Sequence, residues 1–221
     1  MLNTPIHIID FEGSLRSGVL EWGVVSLKAG ALVEAQTRLC GSRSSILNSE
    51  VAQHGISDFL VRGLLPFNED WDTFMHLRET GVFCSHHSSV ENNLLRRTWA
   101  YPRACKDFFN NESRELVADW GPWLDTLQIY RNVYPDLASY KLNALIEQFD
   151  LGSELKELVT VHCEKARAQF HCALYDALAA ALLLKRLFGL KELVDLSLNQ
   201  LFILSSSSHE TFESRTQQEL L

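Results

Sequence analysis

Residues 6–14, IHIIDFEGS, run apolar residues and a histidine into two acids separated by one phenylalanine, then a glycine. In a strand, alternate residues project to one face, so Asp10 and Glu12 point together and Phe11 points away. Two adjacent carboxylates repel each other and resist leaving water unless something positive lies between them. Hard oxygen ligands of this kind suit a divalent cation such as Mg²⁺ or Mn²⁺. The alternative is a strand that ends in solvent with both acids hydrated, and this stretch alone leaves both readings open.

The chain has 221 residues, 46% hydrophobic, with 12 Phe, enough to build one large core. No apolar run approaches the roughly 18 residues of a membrane helix, so no membrane association is expected. The N-terminus, MLNTPIHIID, lacks the basic, apolar and small-residue pattern of a signal peptide. The five Cys (40, 84, 105, 163 and 172) include no CxxC pair, which points to reduced thiols and a cytoplasmic location. A net charge of −8 argues against broad electrostatic binding of nucleic acid. It leaves room for a small site that grips a strand end.

Residues 6–13, 19–28 and 31–39 read as strands, the last two joined at Ala29-Gly30, so the sheet starts antiparallel. Helices are expected at 49–53, 57–63 and 68–79, then a short strand at 81–86. VENNLLRRTWAY follows with helical spacing and Val90, Leu94 and Leu95 along one side. Residues 123–133 read as a strand entering a helix, and 141–151 as a helix ended by Gly152. CALYDALAAALLLKRLF (172–188) is the clearest helix, with Lys185 and Arg186 in its last turns and Gly189 after it. Another is expected from 190 to about 203. Strands first, then strands alternating with helices, predict one mixed α/β domain over 1–204. The Ser-rich end, 205–221, reads as a disordered tail.

Two more clusters carry chemistry. FHCALYDAL places His171 on the loop before a helix and Asp176 in its early turns, where a carboxylate facing apolar neighbours needs a partner. SHHSSVENNLL holds His86, His87 and Glu91, with Glu91 in the first turns behind a short strand. Taken singly, each is equally an acid favoured by a helix N-terminus.

In order along the chain, the three clusters resemble the motifs of the DEDDh (DnaQ-like) family of 3′–5′ exonucleases, whose domain has a ribonuclease-H-like fold. IIDFEGS is similar to the first motif, SHHSSVENNLL to the second and HCALYDA to the third. QHGIS (53–57) and residues 123–151 resemble segments that lie between them. The resemblance implies a ribonuclease-H-like mixed five-stranded sheet, its first three strands antiparallel, flanked by helices. It further implies two ions, Mg²⁺ or Mn²⁺, held by Asp10, Glu12, Asp176 and Glu91, with His171 as general base. Phe11, Gly13, Ser14, His54 and Ile56 would then meet the terminal nucleotide of a single-stranded or 3′-terminal nucleic acid. A homodimer or a polymerase or repair partner is left undetermined. The second motif departs from the family pattern, with Glu91 where Asp is usual and His87 where Asn is usual.

Two rival readings follow. An inactive or weakened relative would bind nucleic-acid ends without cutting them, with Glu91 as its support. A structural zinc protein would use Cys84, His86, His87, His162, Cys163, His171 and Cys172, whose spacings fit no common zinc motif.

Overall fold

The computed structural model describes residues 3–110, 115–190 and 196–206. Three strands come first: β1 (Ile6–Ser14), β2 (Gly18–Lys28) and β3 (Ala31–Leu39). A short helix, α1 (Asn48–His54), and a 3₁₀ turn at Phe67–Asp70 lead to α2 (Trp71–Thr80). Then come β4 (Val82–Ser85), α3 (Ser88–Thr98), a small hairpin of β5 (Cys105–Lys106) and β6 (Leu116–Val117), β7 (Trp123–Asp125) and α4 (Thr126–Val133). Four helices complete the described residues: α5 (Leu142–Gln148), α6 (Gly152–His162), α7 (Ala173–Phe188) and α8 (Leu198–Leu204).

The main sheet has the order β3-β2-β1-β4-β7, with β1–β2 and β2–β3 antiparallel and β1–β4 and β4–β7 parallel. This is the five-stranded mixed sheet that the sequence leads one to expect. Alternation along β1 assigns its two faces. Ile6 and Ile8 pack with Val25 and Leu27 in the core built around α7. Ile9 and Phe11 join Trp22, Val24, Phe67 and Phe74 in a second core on the opposite face. Helices or aromatic side chains cover both faces of β2, which is why ten successive residues of it are buried.

Two glycines are required by close approach. Gly13 adopts φ 132°, where the register of β1 against β2 shifts, and a Cβ there would lie 2.2 Å from the Gly18 carbonyl oxygen. A Cβ on Gly23 would lie 2.4 Å from the backbone of Ala173 and Leu174, so α7 rests directly on bare backbone of β2.

Several expectations are corrected. Residues 57–63 form turns rather than a helix. Gly152 opens α6 instead of closing the preceding helix, and Asp150, at φ 54°, makes the bend between them. On α3, Val90 is exposed, and the buried side is Glu91, Leu94 and Leu95. Of the helix expected from 190, Leu198–Leu204 is helical and residues 191–195 lie outside the described residues, as does the tail from 207 onward. Among the described residues no helix is long and apolar enough to cross a membrane.

The described residues of the stretch 97–122 close the second core. Trp99 and Trp120 pack into the aromatic cluster, with Trp99 4.6 Å from Phe67 between ring centroids. Arg78 fastens this stretch to α2. Its buried guanidinium donates to the carbonyls of Asp119 (2.9 Å), Lys106 (3.1 Å) and Gly121 (2.8 Å).

Gly23→Ala should destabilise the protein by about 1–3 kcal/mol through overpacking against the start of α7. Urea unfolding measures this, and an unchanged midpoint would contradict the close approach.

Candidate active site

β1, β4 and β7 run parallel, and their C-terminal ends meet at one edge of the sheet, the usual place for a site in open α/β folds. Asp10 and Glu12 lie at that end of β1, on the face toward α7. The turn after β4 leads into α3, whose fourth residue is Glu91. Asp176 enters from the first turns of α7. The four acids that the sequence singles out therefore converge. Ligand atoms of Glu12, His171 and Asp176 lie within 4.8 Å of one another. Asp10 and Glu91 are close enough to repel this group and each other.

The electrostatics reflect the crowding. Burial, then the charges of Asp176 and Glu21, push Glu12 up to about 8, and Arg167 partly offsets this. Burial raises Asp176 to about 7, against a lowering hydrogen bond from the His171 backbone. Asp10 is held well above the usual carboxylate range, by burial and then by Glu91, Asp176, Glu12 and Glu21. Glu91 is raised by burial and then by Glu12 and Asp176, while the backbone of Phe11 pulls it down.

Two oxygens in this group have no partner: buried Glu91 Oε2 and Asp176 Oδ1. Buried polar atoms are normally satisfied, so an orphaned pair within one carboxylate cluster marks a place for a cation. The longer Glu91 thus delivers its carboxylate into the cluster.

His171 lies on the loop before α7 with an exposed ring and a left-handed backbone, φ 64°. Its N–H donates to Asp176 Oδ2 at 3.0 Å, which fixes the loop to the helix it precedes.

The residues expected at the terminal nucleotide divide. Phe11 and Ile56 are buried core side chains: Phe11 packs on Phe67 and Phe74, and Ile56 sits with Leu20, Ile46 and Val61. Neither ring nor aliphatic chain is available to stack on a base in this conformation. The Ser14 N–H is already donated to Ser17 Oγ at 3.1 Å. His54 is buried beside the site. Its Nδ1 accepts from the Ile56 N–H at 3.1 Å and its Nε2 is unpartnered, while burial lowers its pKa.

Sequence reasoning missed three residues. Glu21, opposite Glu12 across the β1–β2 pair, accepts from Arg167 Nε at 3.0 Å and from the Ala173 N–H at 2.9 Å. Arg167 forms a second bond to Glu21 and donates to the His54 carbonyl at 2.6 Å. Asp125, at the end of β7, accepts from the N–H groups of His87, Ser88 and Gln128. These acids are satisfied, unlike Glu91 and Asp176. The His and Cys set of the zinc reading is dispersed. Cys84 is buried in the α7 core, and both ring nitrogens of His86 are bonded, to Thr126 and to the Tyr140 carbonyl.

Comparison with known proteins places this geometry in context. No protein-family model matches the sequence. The chain is 23% identical over 191 residues to the PolC-type DNA polymerase III of Halalkalibacterium halodurans. That match covers 85% of this chain but 12% of the polymerase, so the chain spans a small part of this curated relative. Among solved structures, it is similar to exonuclease X in complex with 5′-overhanging duplex DNA. The TM-score is 0.63 at 21% identity, covering 91% of this chain and 99% of that one. It is also similar to the nuclease domain of 3′hExo, a DEDDh family member bound to rAMP. Here the TM-score is 0.55 at 16% identity, covering 85% and 92%. The fold is thus the ribonuclease-H-like one. Exonuclease X shares nearly its whole length with it.

The raised acids set a pH dependence. The folded, cation-free protein keeps protons on Glu12 and Asp176 that the unfolded chain releases near pH 4, so their contribution to stability falls as pH rises from about 4 to about 8. In EDTA, wild-type protein should lose more stability between pH 5.5 and 8.5 than Glu12→Gln/Asp176→Asn, and Mn²⁺ should restore the wild type most at the alkaline end. Parallel melting curves for the two proteins would refute the crowding.

Proposed function

We propose that the chain is a metal-dependent 3′–5′ exonuclease that hydrolyses the terminal phosphodiester bond of DNA or RNA and releases nucleoside 5′-monophosphates. The observation that carries this reading is the convergence of Asp10, Glu12, Glu91 and Asp176 with His171 at the C-terminal edge of the parallel strands. The ribonuclease-H-like fold shared with solved exonucleases supports it.

The donor set fits Mg²⁺ or Mn²⁺: carboxylate oxygens, two of them orphaned, and no thiolate. Asp10, Glu12, Glu91 and Asp176 would hold two such ions. Bound there, divalent cations supply acidification of water and neutralisation of the phosphate's charge.

The chain's own residues do the rest. With ions held, the carboxylates would be deprotonated, and the end of β1 that bears Asp10 and Glu12 would face the phosphodiester. The exposed His171 ring accepts a proton from the attacking water. The Asp176 carboxylate holds the His171 backbone in place. The leaving group is the 3′ oxygen of the next nucleotide. The net charge of −8 does not oppose this, because part of it belongs to the acids that hold cations.

With 5′-labelled single-stranded DNA and RNA in Mg²⁺ or Mn²⁺, we expect a ladder shortening from the 3′ end, absent in EDTA and in Asp10→Ala. His171→Ala should slow the reaction by about 10²–10⁴. Strand binding without cleavage in every metal would replace this reading with that of an end-binding module.

A further inference from the structure

His171 is exposed, yet its ring stays with the acids, since ligand atoms of His171, Glu12 and Asp176 lie within 4.8 Å of one another. Its backbone is left-handed, φ 64°, a conformation that a residue with a side chain keeps only where its surroundings enforce it. The loop before it is open: Glu164, Lys165, Ala166 and Gln169 are all exposed. Packing alone does not hold such a loop, and the bonds that do hold it meet on one residue of the sheet.

That residue is Glu21 of β2, 3% exposed. Its Oε1 accepts from Arg167 Nε at 3.0 Å, and its Oε2 accepts from the Ala173 N–H at 2.9 Å and from Arg167 Nη2. One carboxylate therefore pins the chain on both sides of His171, at Arg167 before it and at Ala173 after it. Arg167 Nη1 adds a bond to the His54 carbonyl at 2.6 Å, and Phe170 meets the edge of Tyr175, 4.7 Å between ring centroids. On the same face of β2, bare Gly23 lets Ala173 and Leu174 come down on the strand. Glu21 also stands directly opposite Glu12 in the β1–β2 pair. The strand pair that aims Glu12 into the cluster thus aims the carboxylate that holds His171 beside it. Both oxygens of Glu21 are taken by these bonds, whereas Glu91 and Asp176 each keep an orphaned one.

Resting on the exonuclease reading above, we propose that Glu21 is the positioning residue of His171. It pins both ends of the span 167–173 and so keeps the imidazole beside Glu12 and Asp176, where it accepts the water's proton. A misplacement of about 1 Å in a reacting group costs about 10²-fold in rate. Glu21 therefore acts on the chemical step, and the binding of ions and strand is left to the other acids.

The full chain is compared with Glu21→Gln, Arg167→Lys, His171→Ala and the double variant Glu21→Gln/His171→Ala, on oligothymidylate in Mg²⁺ or Mn²⁺. Glu21→Gln keeps the size of the side chain and loses one acceptor, while Arg167→Lys keeps the charge and loses the fork. Each should lower kcat about 10²-fold with KM within about twofold of wild type. The Mn²⁺ affinity of Arg167→Lys, titrated by electron paramagnetic resonance, should stay that of the wild type. The double variant should be no slower than His171→Ala alone, because a clamp has nothing to position once the imidazole is gone. A general loss of structure would slow both backgrounds alike. Where Glu21→Gln does not fold, Arg167→Lys takes its place in the cycle. Amide hydrogen exchange at 168–173, read without substrate, should quicken about tenfold or more in either variant, with β1 unchanged. Additive rate losses in the cycle, weakened Mn²⁺ binding in Arg167→Lys or wild-type exchange at 168–173 would overturn the assignment. A wild type that cleaves no oligonucleotide in either metal would instead overturn the exonuclease reading, and the exchange rates would still decide whether Glu21 holds the loop.

Discussion

The structure depends on a concentration of negative charge that would not fold without compensation. Asp10, Glu12, Glu21, Glu91 and Asp176 lie within mutual reach, and Arg167 is the cation that offsets the charge on Glu12. Arg167 acts through geometry as well as charge. It binds Glu21 on β2 and the His54 carbonyl at the end of α1, and it sits on the same loop as His171. Glu21 meanwhile accepts from the first N–H of α7. One ion pair therefore joins the sheet, α1, the loop and α7. Truncating either partner would leave the other buried and unpaired, a cost well above that of losing a surface pair. The remaining acids keep their repulsion, and this makes the site receptive to cations.

Buried polar groups in this protein fall into two kinds. Asp70 takes the Trp22 indole N–H and the Arg38 guanidinium, His7 bonds Ser26 and Thr80, and Arg78 is spent on three carbonyls. These groups brace the sheet and the face away from α7, and they are complete. Glu91 and Asp176 are incomplete, and His54 Nε2, Ser85 Oγ and Trp123 Nε1 are also unpartnered. Among acids of similar burial, satisfaction distinguishes scaffold from site.

Much of the fold was legible in the sequence. Alternation marked β1 and β2, Ala29-Gly30 marked the hairpin, and the Ala- and Leu-rich run marked α7. Asp10, Glu12, His171 and Asp176 stood out because their local spacing implies a shared face or a helix start. Glu21 and Arg167 left no such signal: their bond spans 146 residues and each reads alone as an ordinary surface charge. Glu91 was visible, yet the pattern of α3 put Val90 on the buried side. The acid takes that side together with Leu94 and Leu95, because the first turn of α3 meets the carboxylate cluster while the two leucines meet the aromatic core. Phe11 and Ile56 were expected at the terminal nucleotide, and their burial in the core came only from packing that the local sequence does not show. Gly152 looked like a helix end because a glycine's permissiveness does not say on which side the helix lies.

Asp125 has a further mechanical consequence. Its carboxylate receives the first N–H groups of α3, through His87 and Ser88, and also that of Gln128 in α4. Two helices are thereby hinged on one pair of oxygens, one carrying Glu91 and the other Arg131. Neither can slide along its axis without pulling a bond from the other. The spacing between Glu91 and the helix that carries Arg131 is thus gauged by a residue that is neither of them.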